Sequence, residues 1–204
     1  MNNNALYVTL KGSGVAGVDT PVVGFGTWPL TGPECTVSVT RALRLGYRHV
    51  DTAENYGNED AVGLAVRESG LPREDVFVTT KFNKDSHGDA ATVRRSAELA
   101  LERMGLDYLD LFLIHWPNPA QDLYVQTCES LVDLVETGLV RSWGVSNFKP
   151  AQLQRVLDAG MVPPVNQVQV DPEHAQRGVE RFNAASGVAT AAYSPLARGS
   201  EVLN

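Results

Sequence analysis

The sequence has little that could tie a chain together covalently or through metal. It holds two cysteines, Cys35 and Cys128, far apart and in no metal-like spacing, which reads as two reduced thiols on helices rather than a disulfide. The four histidines, His49, His87, His115 and His174, show no ligand spacing either, so no metal site is expected. Basic residues are outnumbered, with 17 Lys and Arg against 24 Asp and Glu and a formal charge of −7. A nucleic-acid partner needs a basic footprint and is not expected, whereas a locally positive pocket can still take a small anion. No apolar run approaches the ~20 residues of a membrane span. Met1-Asn2-Asn3-Asn4 lacks the basic and apolar regions of a signal peptide. A cytoplasmic protein with no membrane partner is the expectation. Apolar residues make up 43% of the chain, enough for a packed core and too many for wholesale disorder.

What is present is a repeat of short apolar run, loop, helical period and glycine. The runs are Val22–Phe25, His49–Asp51, Val76–Thr80, Leu109–Ile114, Val140–Val145, Val165–Val168 and Val188–Ala192, seven candidate strands. Between them the 3.6-residue period of a half-buried helix recurs. It places Cys35, Val39, Ala42 and Leu43 on one face, as it does Ala90, Val93, Ala97, Leu101 and Met104, and Leu153, Val156 and Leu157. Pro33 and Pro150 suit first helical turns, and Asn58 and Asp89 suit N-caps. Gly46, Gly70, Gly105, Gly138, Gly160 and Gly187 each stand between a helical segment and a strand, where glycine can close a helix in the left-handed conformation.

Strand–helix alternation with short connections implies parallel strands and right-handed crossovers, in either an open doubly wound sheet or a (β/α)8 barrel. One motif favours the open sheet: Gly12-Ser13-Gly14-Val15-Ala16-Gly17 matches the dinucleotide fingerprint. That motif works only where a helix begins, so that its amides meet a pyrophosphate. Here Val18-Asp19-Thr20-Pro21 follows, and a β-hairpin over residues 6–18 with a Gly-Ser-Gly turn is the better account.

The polar residues at the strand ends favour the barrel. Asp51 ends the second run and leads to Tyr56, Lys81 ends the third, His115 the fourth, and Ser146-Asn147 the fifth. Gln167 lies on the sixth and Tyr193-Ser194 ends the seventh. Each has a plain alternative: a surface lysine, a capping aspartate, a core histidine, a packing tyrosine. Together they put an acid, a phenol, an ammonium and an imidazole at one end of adjoining strands, where barrel enzymes carry their chemistry.

Asp51-Thr52-Ala53-Glu54-Asn55-Tyr56-Gly57, Val78-Thr79-Thr80-Lys81, Leu109–Pro117 with its His115-Trp116, Gly144-Val145-Ser146-Asn147-Phe148 and Tyr193-Ser194-Pro195-Leu196 resemble the aldo-keto reductase family. They are most like its prokaryotic diketogluconate-reductase-like branch. The resemblance implies a TIM-type barrel and hydride transfer from NADPH to an aldehyde or ketone. By that resemblance Tyr56 is the proton donor, Lys81 the ammonium beside it, Asp51 the carboxylate that aims Lys81, and His115 the neutral donor to the substrate oxygen. An unperturbed phenol is a weak acid at neutral pH, and a nearby cation eases release of its proton. Ser146, Asn147 and Gln167 match the residues that bond the nicotinamide carboxamide, and Tyr193 matches the ring that stacks on the nicotinamide. Ser194, Leu196 and the loop Ala197-Arg198-Gly199 resemble the pyrophosphate side, and Gly26 and Thr27 line the pocket. Trp28 and Trp116 are apolar walls for a small carbonyl substrate.

The family continues through an eighth strand and helix, which the 11 residues after Tyr193 do not supply. The expectation is therefore one incomplete barrel domain over residues 1–204, a truncated reductase of about seven parallel strands, stopping in mid-loop at Glu201-Val202-Leu203-Asn204. Such a chain would leave strand edges and apolar faces open. The full-length family is expected to be monomeric, and open edges would allow association. The alternative expectation is a reductase-like cofactor binder, or a remnant, without turnover.

Overall fold

The computed structural model describes residues 6–199; the terminal segments Met1–Asn4 and Glu201–Asn204 read above lie outside them. Tyr7–Gly12 (β1) and Val15–Pro21 (β2) form an antiparallel hairpin. The parallel strands are Phe25–Gly26 (β3), His49–Asp51 (β4), Phe77–Phe82 (β5), Leu109–Ile114 (β6), Val140–Ser146 (β7), Val165–Gln169 (β8) and Ala189–Tyr193 (β9). They pair strictly in chain order from β3 to β9. An open doubly wound sheet would reverse its order at a switch point; sequential pairing with a helix after each of the first six strands is barrel topology, here an incomplete ring of seven strands. The helices are Gly32–Arg44 (α1), Glu59–Arg67 (α2), Ala90–Met104 (α3), Tyr124–Glu136 (α4), Pro150–Asp158 (α5) and Arg177–Ala185 (α6). None among the described residues is long and apolar enough to cross a membrane.

The helical periods predicted from sequence bury the residues assigned to them, with two exceptions: Ala90, in the first turn of α3, is exposed, and Leu157 is only partly covered. The six stop glycines all have positive φ. Gly105, at φ 63°, turns its N–H back onto the carbonyls of Leu101 and Glu102. Both thiols are buried and unpaired, and burial raises the Cys35 thiol to about 11, so neither is primed to react.

The first barrel strand needs correction. Val22 and Val23 are not part of it and are 57% and 65% exposed. Val22 donates to the carbonyl of Leu6, so this stretch belongs to the hairpin's end, and only Phe25 and Gly26 pair with β4. Among the described residues nothing pairs with the outer edges of β3 and β9. A cavity of about 510 Å³ opens there, reaching the barrel interior at Leu111, Leu113 and Val165. Val37 and Leu45, on and just after α1, are likewise exposed.

The hairpin closes the other end of the ring. Trp143 of β7, fully buried, donates its indole N–H to the carbonyl of Ser13 at 2.7 Å. Ser13 also bonds Val162 through both backbone and side chain. A Cβ on Gly12 would stand 2.4 Å from the Val162 carbonyl oxygen. The glycine motif is thus a turn seated against the loop before β8, with no helix behind it.

Asp110 sits inside the apolar run of β6 yet is 1% exposed. It ties three strands together by accepting from Arg73, from the backbone N–H of Val78 and from Arg141. Helix α2 meets the end of α3 through Gly63, where a Cβ would fall 1.9 Å from the carbonyl oxygen of Met104. Because the obstacle is backbone, Gly63→Ala must push the helices apart. We expect it to lower stability by about 1–3 kcal/mol, read as a drop in urea midpoint; an unchanged midpoint would show that this crossing is loose.

Candidate active site

In a parallel ring every strand delivers its C-terminal end to the same mouth. Asp51, Tyr56, Lys81, His115, the eight single cofactor candidates and both tryptophans named from the sequence line one cavity of about 780 Å³ at that mouth, whereas of the loop Ala197-Arg198-Gly199 only Arg198 does. Lys81 lies within β5, opposite Leu113 of β6, and is 2% exposed. Its Nζ donates to Asp51 Oδ1 at 2.5 Å and to the carbonyl of Thr52 at 2.8 Å. Burying an ammonium is tolerable only with such partners. The same Nζ lies 5.3 Å from the centre of the Tyr56 ring, whose other neighbour is the His115 ring, edge-on at 5.9 Å. Carboxylate and ammonium are thus hydrogen-bonded, and the phenol and imidazole rings stand beside them.

Tyr56 sits on a short 3-10 turn, Glu54–Tyr56, between β4 and α2. Asn58 was expected to cap α2 with its side chain, and it does not. Fully buried, it accepts from Thr52 Oγ1 and donates to Thr27 Oγ1 and the carbonyl of Leu30. The residue anchors the turn instead of the helix. Asp89 caps α3 as expected, accepting from the N–H of Thr92.

His115 is 8% exposed. Burial first, and the Lys81 charge second, push its pKa down to about 4, with Asp51 opposing; the ring is neutral at pH 7. Its Nδ1 is buried without a partner.

On the far side Asn147 takes φ 63°, an uncommon backbone for a residue with a side chain. That turn lets its N–H reach the carbonyl of Gln167, while its side-chain amide donates to the carbonyl of His115 and to Ser146 Oγ. The Tyr193 hydroxyl donates to Asn147 Oδ1 at 2.9 Å, and the Ser146 hydroxyl to the carbonyl of Gln167 at 2.9 Å. Gln167 donates its own amide to Asp51 Oδ2 at 2.7 Å and leaves Oε1 buried without a partner.

Sequence reasoning missed the link between Gln167 and Asp51, because 116 residues separate them. It also gave no role to Asn55 and Pro195, which lie inside the motifs that were read, or to Pro29, which follows Trp28; all three line the cavity. Arg198, read only as part of a loop, lies with its guanidinium 4.6 Å from the centre of the Trp28 ring. His174, expected to stand alone, gathers with Asp171 and Glu173. The oxygens of Asp171 already accept from Gln169 and from two backbone N–H groups of that turn.

Fold and site together define a parallel barrel with a polar pocket at its mouth, and the chain belongs to the aldo/keto reductase family, whose profile matches residues 22–201. A methylglyoxal reductase DkgA of Yersinia pestis is 43% identical over 181 residues, which is 88% of this chain and 64% of that protein. The chain spans 64% to 65% of the length of the first curated relatives it matches. The crystal structure of an aldo/keto reductase from Brucella melitensis superposes with a TM-score of 0.88 at 38% identity, covering 95% of this chain and 74% of that one. An aldo-keto reductase of Bombyx mori solved in complex with NADP gives a TM-score of 0.80 at 34% identity, over 92% and 67% of the two chains.

Proposed function

We propose that the protein reduces small aldehydes or ketones with NADPH, with Tyr56 as the proton donor. The observation that carries this reading is the buried Lys81–Asp51 pair, 2.5 Å apart, beneath the Tyr56 ring and beside a neutral His115. When bound, NADPH would supply the hydride that attacks the carbonyl carbon. The remaining task is to meet the charge that grows on the carbonyl oxygen. Tyr56 gives that oxygen a proton. Lys81, kept charged by Asp51 and the Thr52 carbonyl, stabilises the phenolate left behind. The neutral imidazole of His115 offers an N–H to the same oxygen and orients it.

The residues at the far side fit a nicotinamide. The buried, unpartnered Oε1 of Gln167 is an acceptor suited to a carboxamide NH₂, with the Ser146 hydroxyl and the Asn147 amide beside it. Tyr193 offers a ring face for stacking. Gly26 and Thr27 line the entry, Ser194, Leu196 and Arg198 stand on the phosphate side, and Trp28 and Trp116, both about half exposed, wall the substrate end. The name of the Yersinia pestis relative makes methylglyoxal the first substrate to try.

The opening between β3 and β9 supports a second reading, a cofactor binder without turnover, since water that reaches Asp51 and Gln167 from the side weakens the electrostatics of the site. Mixing the chain with NADPH and following its fluorescence tests binding. Consumption of NADPH on addition of methylglyoxal then supports the reductase, and binding without consumption supports the alternative. An absence of binding removes both.

A further inference from the structure

The turn that carries Tyr56 is gripped from two sides. Asn58 holds its base. On the other side the Glu54 carboxylate reaches across to the end of β5. Its Oε2 accepts the backbone N–H of Asn83 at 3.1 Å and the Asn83 side-chain amide at 3.2 Å. Glu54 opens the turn, and Asn83 follows Lys81 by two positions. The bond therefore joins the segment bearing the phenol to the strand bearing the ammonium, across 29 residues of sequence. The turn's own bonds, Tyr56 N–H to Ala53 and Gly57 N–H to Glu54, fix its shape but not its distance from β5. Packing does little to hold it, because Asn55 and Gly57 on either side of Tyr56 are exposed. Glu54 itself does not line the cavity, although Asn55 and Tyr56 do.

We propose that Glu54 is a positioning residue whose clamp on Asn83 sets the separation of the Tyr56 hydroxyl from the Lys81 ammonium. The catalytic consequence rests on the reductase reading above; the clamp itself does not. A proton donor acts only within hydrogen-bond reach of its target, and a displacement of about 1 Å can lower a rate ~100-fold. Glutamine at this position keeps an oxygen that accepts both Asn83 bonds, and alanine keeps none. The carboxylate is needed as an acceptor, not as a charge.

The test uses the 204-residue chain with E54A, E54Q and N83A. E54A is expected to lower kcat for methylglyoxal reduction by about 10-fold, a fraction of the full misplacement effect, with KM for NADPH within about twofold. E54Q should return kcat to within about twofold of the parent. A loss of general stability would not divide kcat from KM in this way, nor be rescued by the amide. In parallel, the nuclear Overhauser contact between the Tyr56 ring and the Lys81 side chain should be present in the parent and E54Q and lost in E54A. Parent-like kcat in E54A, an unaltered Tyr56–Lys81 contact, or an equal loss in E54Q would overturn the proposal. If the parent turns over no aldehyde, the reductase reading fails, and the Tyr56–Lys81 contact alone decides the clamp. If E54A does not fold, N83A, which removes the side-chain bond and keeps the backbone one, should weaken that contact; an undiminished contact there counts against the clamp.

Discussion

Tyr56→Phe is expected to lower NADPH-dependent reduction of methylglyoxal by at least ~100-fold, the scale of a lost general acid, while NADPH affinity stays within about twofold. Phenylalanine keeps the ring that His115 meets edge-on and that lies against Lys81, so the packing survives and only the transferable proton is removed. The residues proposed to face the nicotinamide are on β7, β8 and β9 and in the turn after β7, away from the substitution. The signature is therefore a fall in kcat without a matching change in cofactor binding. A variant with near-parent turnover would take Tyr56 out of the role and pass the proton to His115 or to water. A variant that also loses NADPH binding would mean that the turn had collapsed. The Glu54 variants separate these cases, because they disturb the placement of the phenol and leave its chemistry intact.

Much of this site was legible in the sequence because barrel geometry converts sequence order into spatial order. Each strand end faces the same mouth, so Asp51, Lys81, His115 and Gln167 need only stand at comparable depth in successive strands to converge. The pairing of β3 through β9 in chain order is what makes that inference hold. Two kinds of feature were not legible. Bonds that cross the ring, such as Gln167 to Asp51, depend on side-chain length and rotamer rather than on strand register. Residues with two sound local uses were also misread. Asn58 stands at a helix start, where a cap would yield about 1 kcal/mol, but a buried loop needed its carbonyl and amide more. Val22 and Val23 look like strand residues by composition, yet β propensity requires a pleated surface to pack against, and beside the hairpin's end they have none. Asp110 broke an apolar run, and its reason became visible only once Arg73 and Arg141 were seen to close on it.

The second large effect expected is a loss of stability on mild acidification, to which His49, His87 and His115 contribute, since burial lowers all three imidazoles. His115 and His87 are 8% and 5% exposed, and burial pushes both down to about 4 from 6.5. His87 is the cleaner case. Neither of its ring nitrogens has a partner among the described residues, it packs edge-on against Phe82, and burial outweighs the charge of Asp85, which favours protonation. In the unfolded chain both imidazoles take up a proton near pH 6.5, whereas in the folded chain they resist until about pH 4. Over that window the unfolded state binds more protons, so stability falls as pH falls. It is complete above about 6.5 and loses nothing further from these groups below about 4. His87 and His115 each contribute on the order of 3 kcal/mol to the change. Glu59 works in the opposite sense, because burial raises its carboxyl and a proton taken up there favours the folded state. The measurement is the urea midpoint of the chain and of His87→Leu at pH 7 and pH 4.5. The parent should lose several kcal/mol between the two, and the leucine variant distinctly less but still some, because His49 and His115 still titrate in it. Parallel losses in both proteins would mean that His87 finds a partner or water in solution and that the acid sensitivity lies elsewhere.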